Sequence, residues 1–450
     1  MKKTFTLLLL LVTSVAAMAN DQWTTIQNGQ LWLDDNGNSV QAHAPGFVRL
    51  GDTWYMVGED RGNSWNPDVN LYRSDDLVHW HFVKKIIQNG VTTAELGQSR
   101  MIERPKLMHN TQTGRFVVWC HYESKDYGAS EAACFESETV DGTYHLVWSG
   151  RPLGIKSRDC NVFQDTDGTA YFISTTEENQ HLGLFRLSPD YHEAVSHTQL
   201  FPHQQREAPA IVRVGDTYFM FNSACSGWDP NQCKMAYTQD LQSGWTPLEN
   251  IGNELAYDTQ AAAILEIKGS KKTTYLYVGD RWQDPRLPES KTIIFPIEFE
   301  GTDCRFHYRE RFDINFATGE WRETPREGLF ADKSEWKVTK DSTSLTVDMG
   351  QMQDIKGFIA IPREEARARQ VVRRYAFYTS LDGTTWEKAV EDNWLPYWAA
   401  VNLESRKARF VRLEALPTRP SMRPGRPMRA TMPLARGFIG SISDLDVLLK

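Results

Sequence analysis

Three carboxylic acids stand at the head of one recurring phrase. Glu207 opens "EAPAIVRVGDTYFMF", Glu103 opens "ERPKLMHNTQTGRFVVW" and Asp159 opens "DCNVFQDTDGTAYFI". Two further copies begin with other polar residues, His43 in "HAPGFVRLGDTWYMV" and Gln260 in "QAAAILEIKGSKKTTYLYV". Carboxyls gathered in one pocket repel, and the repulsion can keep one of them protonated near neutral pH. A protonated carboxyl beside an ionised one is equipment for general acid–base chemistry. A lone acidic residue at a strand end is more often a solvated turn residue. Five polar heads at equivalent positions, three of them acidic, are better explained by a shared site.

The elements behind these heads are short strands. The fourth residue after each head is large and apolar: Phe47, Leu107, Phe163, Ile211 and Ile264. A glycine turn and an alternating aromatic run follow, and each copy continues into two more strand-like stretches, as in 70–83, 134–147 and 235–248. The heads are 60, 56, 48 and 53 residues apart. About four strands per unit at a period near 50 residues predicts propeller blades. The expected fold is all-β: a five-bladed β-propeller over 20–322, a linker at 323–334, and a β-sandwich of jelly-roll type over 335–450. Rotation about the propeller axis would bring the five heads to one central pocket. The next strand would add a second ring of Glu59, Tyr122, Thr175, Ser223 and Asp280.

The first 19 residues read as a secretory signal peptide. Lys2 and Lys3 precede an apolar run from Phe5 to Val15, and Ala17-Met18-Ala19 offers a cleavage site. That run is too short to span a membrane. The mature chain is therefore expected in the periplasm or secreted, and as a monomer. A net charge of -8 argues against nucleic acid as partner. Export permits disulfides, and Cys225 and Cys233, flanking a Gly-Trp-Asp-Pro loop, are a candidate pair. The six cysteines match no zinc spacing, and no metal or cofactor is expected.

The repeat, with "SRDCNVFQD" around Asp159 and "REAPAIVRVGDTYFMFNSACSGWDPN" around Glu207, resembles glycoside hydrolase family 43 over about 300 residues. The resemblance implies that Glu207 is the general acid and that Asp159 tunes and orients it. The family's usual base is an aspartate heading the first blade, where this chain has His43. One branch, the exo-acting galactan 1,3-β-galactosidases, lacks that aspartate too. It carries a glutamate on blade two and a glutamine on blade five, as Glu103 and Gln260 stand here. The resemblance to that branch implies that Gln260 holds the attacking water, through its amide oxygen or as its imidic tautomer. Glu103 then binds sugar hydroxyls, or is itself the base. Glu59, His43, Tyr122, Ser223, Ser226, Trp228 and Asp280 are the expected sugar contacts, with Trp65 and Trp282 as further rings for stacking on a sugar face.

The implied activity is inverting exo-hydrolysis of β-1,3-linked galactan of arabinogalactan type. The alternatives are an α-L-arabinofuranosidase or β-xylosidase of the same family, or a sugar-binding propeller without catalysis, which would account for His43. Beyond residue 322, "VDMG", "YTSLDGTTWEKA" and "ARFVRLEA" resemble the discoidin-like (coagulation factor 5/8 type C) sandwich, a frequent carbohydrate-binding module. Thr418 to Arg436 holds five arginines and no acid; it reads as a solvated loop or as a contact for acidic sugars. On this division a chain ending near Thr324 should still cleave a short soluble substrate.

Overall fold

The computed structural model of the chain describes residues 22–63, 68–363, 371–418, 435–436 and 439–450. The N-terminal segment read as a signal peptide, Trp65 and the interior of the arginine-rich stretch lie outside the described residues. Five four-stranded antiparallel sheets follow one another in chain order, over 43–87, 100–150, 157–200, 206–250 and 260–306. Their first strands are His43–Leu50, Arg100–Asn110, Ser157–Gln164, Arg206–Val214 and Gln260–Lys268. Each touches the next, and the fifth touches the first, so the ring is closed. These are the five propeller blades.

Apolar layers fill the gaps between blades. Val57, Leu71, Leu107 and Val118 pack blade 1 against blade 2. Trp119, Cys134, Phe172 and Phe185 fill the next gap, and Ile173, Leu184, Ile211 and Met220 the third. The closing seam between blades 5 and 1 is covered by a small extra sheet of Thr24–Gln27, Arg311–Ile314 and Trp321–Glu323. Ile26, Phe312 and Ile314 from that sheet share one core with Met56 and Leu276. Chain segments from before and after the blades thus stitch the ring shut.

The heads owe their inward aim to a repeated irregularity. In every blade the register between first and second strands slips at the head: just past it after His43, Glu103, Glu207 and Ala261, and across it between Ser157 and Cys160 in blade 3. A bulge bends its strand and re-aims a side chain. In three blades the next residue has positive φ: Ala44 at 47°, Arg104 and Ala208 at 51°. Pro45, Pro105 and Pro209 follow, tolerated because a bulge does not need their missing N–H. At Gly46 the blades come so close that a Cβ would lie 2.7 Å from the Lys106 Cα; glycine is required there.

Lys106 closes the axis. It is 1% exposed, and its ammonium donates to the carbonyls of Ala44 (2.9 Å), Pro45 (2.6 Å) and Ala262 (3.0 Å). Three donors meet three carbonyls from blades 1 and 5. Lys106→Met keeps the volume and strands all three acceptors, each costing about 1–3 kcal/mol. The variant is expected to lose about 3 kcal/mol or more, seen as a lower denaturant midpoint at unchanged slope.

The C-terminal unit is built on two long strands, Ser344–Pro362 and Ala400–Ala415. Register shifts let them bend from one layer to the other, with Phe358 stacked on Phe377 at 4.0 Å in the core. The stretch read as a linker is pinned. The Leu449 and Ala331 N–H groups donate to Leu329 and Val447 carbonyls, and Arg326 is ion-paired to Glu310 and Asp446. Nor is the sandwich detached: Tyr257 and Phe306 of the propeller share one apolar core with Tyr397 and Trp398.

Candidate active site

Glu207 and Gln260, heads of blades 4 and 5, meet directly. The Gln260 Nε2 donates to Glu207 Oε1 at 3.1 Å and to Ser223 Oγ at 3.1 Å. Its Oε1 accepts from the Trp282 indole at 2.9 Å and from Arg104 at 3.3 Å. Indole and guanidinium can only donate, so the amide orientation is set by its partners. Asn179 reaches the other Glu207 oxygen at 3.5 Å. Arg104 also faces Asp159 at 3.6 Å and donates to the main chain of blades 3 and 5 at Cys160 and Ala261. Three of the five heads, Glu207, Gln260 and Asp159, are thus linked directly or through one buried arginine.

Glu103, the remaining carboxylate head, is clamped. Its Oε1 accepts from Tyr127 at 2.7 Å and from Arg61 at 3.3 Å, and His121 lies 3.2 Å from Oε2. Burial works to raise its pKa; the hydrogen bond and charge of His121, with Arg61 and Tyr127, prevail and hold it at about 2. Burial likewise disfavours a charged His121, yet Glu103 and Glu123 on its two ring nitrogens raise it to about 9. Glu123 in turn accepts from the N–H groups of Ser124, Ala129 and Ser130. One carboxylate folds the loop that returns Tyr127 to Glu103.

Blade 1 supplies no ionised base at its head. His43 is 2% exposed, and burial and Arg61 depress it to about 3. Its Nε2 faces the Gln41 oxygen at 3.2 Å, and that amide's nitrogen donates to Pro288 O, so Nε2 carries the imidazole proton. Glu59 pairs with Arg61 and accepts the Arg104 N–H at 2.6 Å. Burial pushes its pKa up, only partly offset by Arg61. Asp280 accepts the Ala44 N–H at 2.9 Å, and burial raises it as well.

Beside Gln260 lies a narrow cleft lined by 227–231, 258–260, Asp280 and Trp282. Trp228 meets Trp282 edge-on at 4.8 Å, His43 lies 6.0 Å from Trp282, and the Arg61 guanidinium sits over Trp228. Two backbone runs beside the cleft are unusual. Glu177, Glu178 and Asn179 are all left-handed, and so are Ala256, Tyr257 and Asp258. Such residues cost about 1–3 kcal/mol each and persist where a site needs them. The first run presents Asn179 to Glu207; the second leads into Gln260.

Three expectations are corrected. Tyr122 is not in the second ring: the register pairs Glu103 with His121. Tyr122, one residue on, faces the opposite side and is buried in the core between blades 1 and 2. Ser226 spends its hydroxyl inside its own loop, on Asp229 O and Asn231. Cys225 and Cys233 are not joined in a disulfide. Cys225 faces Gln205 O and Asn179, while Cys233 is buried in the apolar core. Sequence reasoning passed over Arg61, Arg104, Lys106, His121, Glu123, Tyr127 and Asn179. The one signal for the first of these was the density of ionisable residues in "VGEDR", "ERPK" and "CHYES".

Chemically, the site offers an acid-type carboxyl next to an amide, a locked carboxylate, and two indoles beside the amide. That set can protonate a leaving oxygen, accept hydrogen bonds from hydroxyls and stack on an apolar ring face.

Solved structures of similar fold include glycoside hydrolases. An exo-β-1,3-galactanase of Phanerochaete chrysosporium, solved with β-1,3-galactotriose, matches at a TM-score of 0.71 and 23% identity, over 94% of this chain and all of that one; this shows the shared fold. An exo-β-1,3-galactanase of Clostridium thermocellum matches at 0.65 and 28% identity, over 95% of this chain and all of that one. A β-1,3-galactosidase of family 43, solved with galactodeoxynojirimycin, matches at 0.59 and 27% identity, over 63% and 99%. Among curated proteins, galactose oxidase of Gibberella zeae is 32% identical over 83 residues, 17% of this chain, and the match spans 12% of that protein's length. The F5/8 type C domain model matches residues 314–425, in keeping with a discoidin-like C-terminal module. The model of glycosyl hydrolases family 43 matches residues 37–282, more than half the chain and every blade head, so the chain belongs to family 43 and is a glycoside hydrolase.

Proposed function

We propose that the chain is an exported, inverting exo-hydrolase of β-1,3-linked galactan, acting on polysaccharide of arabinogalactan type. One observation carries the reading: the acid-type Glu207 is hydrogen-bonded to Gln260, with Glu103 clamped on blade 2 and an uncharged His43 where a base would stand. This is the departure that sets the galactan 1,3-β-galactosidase branch apart within the family. The similarity to the Clostridium thermocellum exo-β-1,3-galactanase over the length of both chains supports it. The N-terminal segment supports export.

In this reading Glu207 protonates the leaving oxygen. Acid and water-activating group stand ~6.5–9.5 Å apart across an inverting site, so the incoming sugar parts Glu207 from Gln260. The freed amide then turns toward the attacking water. Glu103, held ionised by His121, Arg61 and Tyr127, accepts from sugar hydroxyls. Its low pKa makes it a weak base.

The test is proton NMR of the first product released from β-1,3-galactotriose. Galactose is expected to appear first as the α-anomer. A β-anomer first would sink the inverting scheme, which has no nucleophile for a covalent intermediate. Release of arabinose or xylose from their glycosides, with galactan untouched, would move the specificity elsewhere in the family.

A further inference from the structure

We propose that the C-terminal sandwich is part of the active-site scaffold, with Arg373 as a positioning residue that holds two loops of the cleft wall, 226–231 and 256–260, in place. This rests on the reading of the cleft as the catalytic pocket. Arg373 is rooted in the sandwich: its guanidinium stacks on Trp394 at 4.1 Å, and its carbonyl accepts from the Leu395 N–H at 2.7 Å. From there it reaches the propeller at two points. One is Asp258 Oδ1 at 3.4 Å, the other Asp229 Oδ1 at 3.7 Å. Asp229 sits next to Trp228 in the first loop. Asp258 ends the left-handed run two residues before Gln260.

Asp258 is 3% exposed, and within the propeller it has Arg281 at 3.9 Å. Arg281 itself donates to Tyr397 O of the sandwich at 3.0 Å. A strained turn persists only when its surroundings over-determine it. Here those surroundings include the other domain. A module that merely adds effective concentration on polymer would meet the propeller through a small polar interface. This one shares an apolar core with blades 4 and 5 and braces the segment that carries Gln260.

The test uses the full chain. Arg373→Met is expected to lower kcat/KM on β-1,3-galactobiose by about 10- to 10²-fold, the cost of misplacing reacting groups by an ångström or less. Arg373→Lys is expected to recover most of the loss. The neighbouring Arg374, half-exposed and paired with Glu391 inside the sandwich at 2.7 Å, is the control: Arg374→Met should behave as wild type. Hydrogen exchange of the free protein gives a readout independent of substrate. Arg373→Met should exchange faster at 226–231 and 256–260, and Arg374→Met should not. Asp229→Asn, which breaks only the exposed arm, should loosen 226–231 and raise KM severalfold at unchanged kcat; it decides the matter if Arg373→Met does not fold. Wild-type exchange in both loops together with wild-type kcat and KM in these variants overturns the proposal. A wild-type enzyme silent on β-1,3-galactobiose counts against the substrate reading alone, and the exchange comparison still stands.

Discussion

Glu207→Gln is expected to lower kcat by about 10²- to 10⁴-fold or more on a substrate with a poor leaving group, while sugar affinity stays within a few-fold of wild type. The substitution keeps the shape and removes the transferable proton. Structurally it is mild. The Glu207 oxygens accept from Gln260 and Asn179. A glutamine keeps one oxygen for Gln260 and turns its amide nitrogen toward the Asn179 donor, a mismatch worth about 1 kcal/mol. That is too little to unfold the blade. Affinity for galactose by calorimetry and kcat/KM on β-1,3-galactobiose separate the two effects. An aryl galactoside with a good leaving group needs little protonation and should be cleaved with a much smaller loss. Wild-type turnover of the natural linkage by this variant would remove Glu207 from the acid role.

The position of Glu207 is legible in the amino-acid sequence itself. The period and the polar head are visible there because a propeller repeats its geometry, and the Ala-Pro after Glu207 marks the bulge that aims it. The second ring is legible where the pairing can be counted through the turn, as for Glu59, Ser223 and Asp280, which pair with His43, Glu207 and Gln260. From His43 to Glu59 and from Glu207 to Ser223 the separation is 16 residues. In blade 2 the longer turn makes it 18, so the residue opposite Glu103 is His121. A shift of one residue in a strand exchanges the two faces, which is why the repeat points Tyr122 at the pocket while the fold puts it in the core. Arg104 and Lys106 look like ordinary strand cations; their role appears only when blades far apart in sequence meet at the axis. Cys225 and Cys233 are near in sequence, but nearness says nothing of where thiols point. The grip of Arg373 on Asp258 joins residues 115 apart, and no local pattern announces it.

The assignment of the water-activating group yields the second large effect. Gln260→Ala is expected to lower kcat by about 10²-fold or more with KM little changed. Glu103→Gln is expected mainly to weaken binding, because a charged acceptor for sugar hydroxyls becomes a weaker neutral one. The structure sharpens the contrast. Glu103 is pinned by Tyr127, Arg61 and His121 and held ionised at about pKa 2, so it cannot take a proton from water readily. Gln260 turns its nitrogen to Glu207 and its oxygen to Trp282. Only after a sugar separates it from Glu207 can it face a water. Gln260→Ala therefore removes two things, the water's holder and a tether of Trp282, and the second predicts a change in indole fluorescence that Glu103→Gln lacks. Azide separates the roles, since a small anion replaces an activated water when a true base is gone. Azide rescue of Glu103→Ala, giving an inverted glycosyl azide, together with near-normal turnover by Gln260→Ala, would reverse the assignment and make Glu103 the base. Without rescue at Glu103, a slow Gln260→Ala with intact binding leaves the amide on the water side.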